Sequence, residues 1–135
     1  MLTETTCVMA TEADNKNRVV LVVDDEALIR WSLSQKLQDA GFSVLEADTG
    51  RSALSQISHD GICAILLDLR LPDVNGLEVL RELRKTHPEC CVWIMTAYGS
   101  PDAEQEAADL GVLGFLNKPF DMDELVSELQ SRLKN

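Results

Sequence analysis

A handful of polar residues placed directly after apolar runs carries the chemistry this sequence can do. Asp24, Asp25 and Glu26 follow the run 19–23, and Asp68 closes Cys63-Ala64-Ile65-Leu66-Leu67. Thr96 and Ala97 follow 91–95, and Asn117-Lys118-Pro119 follows 112–116. Should these groups converge, at least three carboxylates share one place. Two unit charges ~4 Å apart repel by about 4 kcal/mol at an intermediate dielectric, and Lys118, a single point donor, cannot balance three of them. The site then needs a cation, and all-oxygen donors with a few carboxylates suit Mg²⁺ or Mn²⁺. A carboxylate nucleophile beside a hard divalent ion, a lysine and a threonine hydroxyl is a set suited to phosphoryl transfer. Cation and lysine neutralise charge developing on the phosphoryl oxygens, and the hydroxyl and nearby backbone N–H groups orient them. The carboxylate becomes an aspartyl phosphate.

Convergence depends on the elements. The runs 19–23 and 63–67 are apolar on both faces, the mark of strands in a sheet covered by helices on both sides. Between the strands lie helical patterns. Ile29, Leu33 and Leu37 recur at i, i+4 and i+8 with Ala40 beside them, and Gly41 ends the stripe. Trp31 lies off that stripe, as a partly exposed flank. A second strand at 42–47 and a turn at Asp48-Thr49-Gly50 lead to a short helix marked by Ala53, Leu54 and Ile57, ended near Asp60-Gly61. Gly76 opens a third helix on Leu77, Leu80 and Leu83, which stops before Pro88. Ser100-Pro101 is a helix start, with Ser at the N-cap and Pro at N1. The face that follows is mostly alanine (Ala103, Ala107, Ala108, then Leu110), which buries little area, so this helix should be weakly anchored. Asp121-x-x-Glu124 caps a last helix on Leu125, Leu129 and Leu133. Five strand-then-helix repeats mean a parallel sheet with right-handed crossovers. The residues after strands one, three, four and five then share the edge where open α/β sheets take their ligands, and Asp48, after strand two, falls outside.

Bulk properties narrow the classes. The chain has 135 residues, 45% hydrophobic and 26% charged, with a formal net charge of −11. That length allows one domain with a real core, and that charge opposes direct binding to nucleic-acid phosphates. No apolar stretch approaches the ~20 residues of a membrane helix, and the first residues lack the pattern of a secretory signal. Residues 1–17 are polar without a sustained period and read as a disordered leader, with the folded domain over 18–134. Cys7, Cys63, Cys90 and Cys91 contain no Cys-x-x-Cys. Cys63 and Cys91 read as small packed hydrophobes, adjacent Cys90 and Cys91 rarely pair, and a reducing cytoplasm fits this usage best.

Four segments in order, Val-Val-Asp-Asp-Glu (22–26), Leu-Leu-Asp-Leu-Arg-Leu-Pro-Asp-Val-Asn-Gly (66–76), Met-Thr-Ala-Tyr-Gly (95–99) and Gly-Phe-Leu-Asn-Lys-Pro-Phe (114–120), resemble the receiver domain of a two-component response regulator. Ile29-Arg30-Trp31 and 95–99 are similar to receivers of nitrogen-regulator-type transcriptional activators. The resemblance spans about 18–134 and implies a flavodoxin-like (βα)5 doubly wound parallel sheet, strand order 2-1-3-4-5, in a single domain. It implies Asp68 as phosphoacceptor. It also implies Mg²⁺ (or Mn²⁺) held directly by Asp25, Asp68 and the backbone carbonyl of Arg70, with Asp24 acting mainly through water. Thr96, Lys118 and the Ala97 backbone N–H contact the phosphoryl group. Thr96 and Phe115 occupy the switch positions, Arg70 and Tyr98 those that tune phosphoryl lifetime, and the Lys118–Pro119 bond is expected cis. The implied partners are a sensor histidine kinase and an output domain or downstream protein, with a homodimer through helix 4, strand 5 and helix 5 as a further option. Neither nucleic acid nor a membrane is an expected direct partner.

Taken singly, these residues have plainer readings: Asp24 and Asp25 as N-caps, Lys118 as a solvated lysine, Thr96 as a strand-end cap, Phe115 as core, Tyr98 as loop packing. Their joint placement on one edge favours chemistry. A haloacid dehalogenase-like phosphatase also uses a metal and an aspartyl phosphate, but that family needs a second Asp two residues after the nucleophile, where this chain has Arg70. A flavin- or nucleotide-binding module would want a Gly- or Ser/Thr-rich phosphate loop after strand one, where Asp24-Asp25-Glu26 would repel phosphate. The expected function is a phosphorylation-controlled switch, not an enzyme beyond taking up, and slowly losing, its own phosphoryl group.

Overall fold

The computed structural model of the chain describes residues 18–58, 61–97 and 99–133. Strands and helices alternate: β1 (Val19–Val23), α1 (Ala27–Asp39), β2 (Ser43–Ala47), α2 (Gly50–Gln56), β3 (Ile62–Asp68), α3 (Gly76–Thr86), β4 (Cys91–Thr96), α4 (Pro101–Asp109), β5 (Gly114–Asn117) and α5 (Met122–Leu133). The strands form one sheet in the order β2-β1-β3-β4-β5, every pair parallel. This is the flavodoxin-like order expected. The leader expected at 1–17 lies outside the described residues.

The apolar-throughout strands have a simple cause. Alternate side chains of each central strand enter two separate cores. Leu21, Val23, Ile65, Leu67, Val92 and Ile94 pack with Ala53, Leu80, Leu83 and Ala107, under α2, α3 and α4. Val20, Val22, Ala64, Leu66, Trp93 and Met95 pack with Leu33, Leu37, Leu125, Leu129 and Leu133, under α1 and α5. Both faces must therefore be apolar. Fully buried Trp93 keeps its indole N–H satisfied by donating to Glu128 Oε2 at 3.1 Å. β2 lies at the edge, so Ser43 and Glu46 are exposed.

Local signals fix the helix ends. Ser100 accepts the Ala103 N–H at 3.1 Å with Pro101 behind it, and Asp121 accepts the Glu124 N–H at 3.1 Å, both as read from the sequence. Asn75 and Thr49 cap α3 and α2 in the same manner. Gly41 turns the chain after α1 with φ 98°, a conformation costly for residues with a Cβ.

Three expectations need correction. β5 begins at Gly114, not 112, because the Val112 N–H turns back to Ala107 O at 3.3 Å and so finishes α4. On α4 only Ala107 is buried, while Ala108 faces solvent. Much of that helix's attachment comes instead from arginines of α3: Arg81 pairs with Glu106 at 2.6 Å and Arg84 Nε donates to Leu110 O at 2.6 Å. Of the two cysteines read as packed thiols, Cys63 and Cys91, only Cys63 is free, joined by Cys90; burial pushes the Cys63 and Cys90 thiols up to about 11 and about 12. Cys91 is buried but disulfide-bonded, so neither the packed-thiol reading nor the expectation against a disulfide holds for it. Among the described residues no helix is long and apolar enough to cross a membrane.

Candidate phosphoacceptor site

The carboxyl edge of the sheet gathers the expected groups. Asp24 and Asp25 leave β1, Asp68 ends β3, Thr96 ends β4, and Lys118 follows β5. Ligand oxygens of Asp24, Asp25 and Asp68 all lie within 4.8 Å of one another. Lys118 reaches across the edge, its Nζ 2.7 Å from Asp24 Oδ2, 3.0 Å from Asp68 Oδ2 and 2.9 Å from Glu26 Oε1. The second oxygens are engaged by the backbone: Asp24 Oδ1 accepts the Glu26 N–H at 2.8 Å and Asp68 Oδ1 the Arg70 N–H at 3.0 Å. Thr96 is fully buried, and its carbonyl accepts the Lys118 N–H at 2.8 Å, which ties the end of β4 to the start of the lysine loop. The Lys118–Pro119 peptide is cis, as the resemblance implies.

An open cleft of about 440 Å³ lies over these groups. It is lined by the acids Asp25, Glu26 and Asp68, by Arg70, Leu71 and Pro72 of the loop after β3, and by Ala97 and Lys118. Asp24 is fully buried beneath it, whereas Asp25 is exposed. Burial raises the Asp24 carboxyl above its ordinary value, and its bond to Lys118 only partly offsets that. Burial works against the Lys118 charge too. Its hydrogen bonds to Asp24, Glu26 and Asp68 overcome it, so the ammonium is held well above the usual lysine range.

Most sequence-derived site residues meet here, and a few stand apart. Asp48 is exposed beside the edge strand and outside the acidic cluster. Phe115 does not line the cleft; it packs against the α2–α3–α4 core, where a Cβ on Gly99 would fall 2.8 Å from its ring. Tyr98 lies outside the described residues. Two contributors had no role assigned from the sequence. Glu26 belongs to the lysine cluster, and Arg30 holds the acidic loop, donating from Nη1 to Asp24 O at 2.8 Å and from Nε to Glu46 at 3.1 Å. Glu26 was visible as the third acid of its run; Arg30 carries no such signal, since its partner lies 16 residues away.

The donor set fits a hard divalent ion: clustered carboxylate oxygens at an open cleft, with a single ammonium against them. A parallel sheet that presents such a cluster at its carboxyl edge, beside a threonine and a lysine, defines a phosphoacceptor domain. Residues 20–130 match the response regulator receiver domain, and the chain belongs to that family. It is 36% identical to sporulation initiation phosphotransferase F of Bacillus subtilis (strain 168) over 109 residues, 81% of this chain and 88% of that protein. It is 34% identical to the DNA-binding transcriptional regulator NtrC of Escherichia coli (strain K12), over 87% of this chain but 25% of that protein. The chain thus spans about a quarter of the length of that curated relative. Among solved structures, the signal receiver domain of a putative Luxo repressor protein from Vibrio parahaemolyticus superposes with a TM-score of 0.79 at 32% identity, covering 87% of this chain and 90% of that one. The chain is a phosphoacceptor receiver of two-component signalling. The haloacid dehalogenase alternative finds no support.

Proposed function

We propose that Asp68 takes a phosphoryl group from a phosphohistidine on a sensor histidine kinase. One observation carries this most directly: Lys118 bridges Asp24 and Asp68 at 2.7 and 3.0 Å and lines an open acidic cleft. An oxygen of Asp68 attacks phosphorus, the P–N bond breaks, and the imidazole departs with the bonding pair. Lys118 shifts from the acids toward the incoming phosphoryl oxygens, the Thr96 hydroxyl and Ala97 N–H orient them, and the acyl phosphate remains on Asp68. Asp25, Asp68 and the Arg70 carbonyl would hold Mg²⁺ (or Mn²⁺), with buried Asp24 acting mainly through water. When bound, the ion supplies positive charge that neutralises the phosphoryl oxygens. Labelling by acetyl phosphate or phosphoramidate with Mg²⁺ tests the assignment. Wild type should gain one phosphoryl group at Asp68 and Asp68→Ala none; equal labelling of both would sink it.

The rest of the reading follows from the same site. Thr96 and Phe115 are the switch residues through which the α4 and β5 surface responds. Arg70 and Tyr98 shield the phosphoryl group from water and slow its self-hydrolysis, so Arg70→Ala combined with Tyr98→Ala should speed decay of the labelled protein; unchanged decay would contradict this. The chain works in the cytoplasm as the receiver, over 18–134, for an output domain or downstream protein, with a homodimer through α4, β5 and α5 as one output. The matches to transcriptional regulators and to a phosphotransferase favour these roles.

A further inference from the structure

We propose that Asp73 is a positioning residue for phosphoryl transfer, its carboxylate clamping the tip of the 69–75 loop to the first turn of α2. The loop Leu71-Pro72-Asp73-Val74-Asn75 has turn composition, and Asp73 is exposed, which by itself predicts a solvated acid. Both its oxygens are nevertheless engaged. Oδ1 accepts the Gly50 N–H at 2.8 Å and Oδ2 the Arg51 N–H at 3.0 Å. First-turn N–H groups have no partner within their own helix. Here the Thr49 hydroxyl takes the third, that of Ser52, at 3.0 Å, and a residue from another loop takes the other two. The two bonds to Gly50 and Arg51 hold the Asp73 carboxyl below its ordinary value.

Contact at this point is close. A Cβ on Gly50 would lie 2.1 Å from Val74 Cγ2 and 3.1 Å from Val79 Cγ2, so no side chain fits between helix start and loop tip. The base of the loop is closed separately. Gly76 N–H donates to Leu69 O at 2.9 Å, Arg70 and Asn75 form an antiparallel bridge, and a Cβ on Gly76 would fall 2.4 Å from Asp68 O. Leu71 and Pro72 lie between the fixed base and the clamped tip, and these two residues help to wall the cleft over Asp68. Releasing the tip frees that wall while the base, and Asp68 itself, stay in place. A residue that merely capped α2 would affect unfolding and leave the cleft of the folded protein unchanged.

The inference rests on Asp68 being the acceptor, and one experiment separates the two. The full chain, as wild type, Asp73→Ala, Asp73→Asn and Gly50→Ala, is labelled with acetyl phosphate at saturating Mg²⁺, its folded fraction followed by circular dichroism. Misplacing a positioning group commonly costs about tenfold to a hundredfold in rate. Asp73→Ala should fall in that range while folded. Asp73→Asn, which keeps one acceptor oxygen, should recover part of the loss. Gly50→Ala should slow labelling with the carboxylate intact. Amide exchange should quicken in 71–74 but not in β1 or β3. A folded Asp73→Ala that labels at the wild-type rate overturns the proposal. Should that variant not fold, an Asp73→Asn protein with wild-type rate and unchanged loop exchange overturns it equally. Wild type that is not labelled at Asp68 overturns the acceptor assignment instead.

Discussion

Lys118 does more at this site than a lone positive charge beside several acids implies. Asp24 is fully buried and Asp68 nearly so, and the ammonium lies within hydrogen-bond distance of both. Removing one partner of a buried pair leaves an uncompensated charge, at a cost of about 3–5 kcal/mol. Lys118→Met should therefore destabilise the chelator-treated protein by roughly that amount at neutral pH. Asp24 already holds its proton above the ordinary carboxyl value because it is buried. A carboxyl raised in the folded state contributes stability at low pH that is lost as pH rises through its folded value. Without Lys118 that value rises further, so the deficit should shrink on acidification. Urea unfolding at neutral and acidic pH measures this, and an equal deficit at both would contradict it. Glu26→Gln should cost at most about 1 kcal/mol, because the Glu26 side chain is 58% exposed. The difference between the two acids also explains what the sequence could reveal. Asp24, Asp25, Asp68 and Lys118 were legible because strand ends fix where they lie. Arg30 and Asp73 were not, because their roles depend on how far a side chain reaches toward a segment 16 or more residues away.

At the scale of elements, α4 joins the sheet to the surface proposed to switch. The alanine stripe marked it in sequence as weakly held, and that reading stands with one buried side chain, Ala107. Hidden from sequence was the other half of its attachment. Arg84 of α3 donates to Leu110 O at 2.6 Å and Cys90 O at 2.7 Å, with longer bonds to the carbonyls of His87, Pro88 and Gly111. A guanidinium can serve several carbonyls at once because its donors are spread over a rigid plane, whereas an ammonium is a point. The C-terminal end of α4 is thus pinned, while its N-terminal turn relies on Ser100 and Pro101. Two outcomes follow at this scale. A phosphoryl mimic bound to the protein should change amide exchange in 101–110, more at the N-terminal turn than beside Leu110; no change anywhere in 101–110 would refute α4 as the moving part. Arg84→Ala should lower stability by about 1.5–3 kcal/mol, the range for charged-group hydrogen bonds, and remove the contrast between the two ends of α4. Arg84→Lys should restore little of either. Boundaries were the least legible feature: Val112 reads as strand by composition, yet its N–H completes the preceding helix.

Over the whole molecule, fold and charge pull in opposite directions. Two apolar cores, one on each face of a single sheet, hold the chain together, and this architecture was legible because each strand must be apolar on both sides. The same chain carries a net charge of −11, and the sheet topology gathers three of its acids, Asp24, Asp25 and Asp68, at the carboxyl edge. Self-repulsion of that size weakens the compact state, and added salt should relieve it by screening within a Debye length of about 10 Å at 0.1 M. A divalent ion seated among Asp24, Asp25 and Asp68 would act differently, by mass action on the folded form alone, adding about 2.7 kcal/mol at a hundredfold excess over its dissociation constant. The two effects separate at matched ionic strength. MgCl₂ should raise the thermal midpoint above that in NaCl, and the excess should vanish in Asp25→Asn, whose side chain is exposed and carries no burden in the core. If Mg²⁺ and Na⁺ prove equivalent once ionic strength is matched, screening accounts for the whole effect and the acidic edge holds no specific ion. An excess that survives in Asp25→Asn would place the ion elsewhere on the acidic surface.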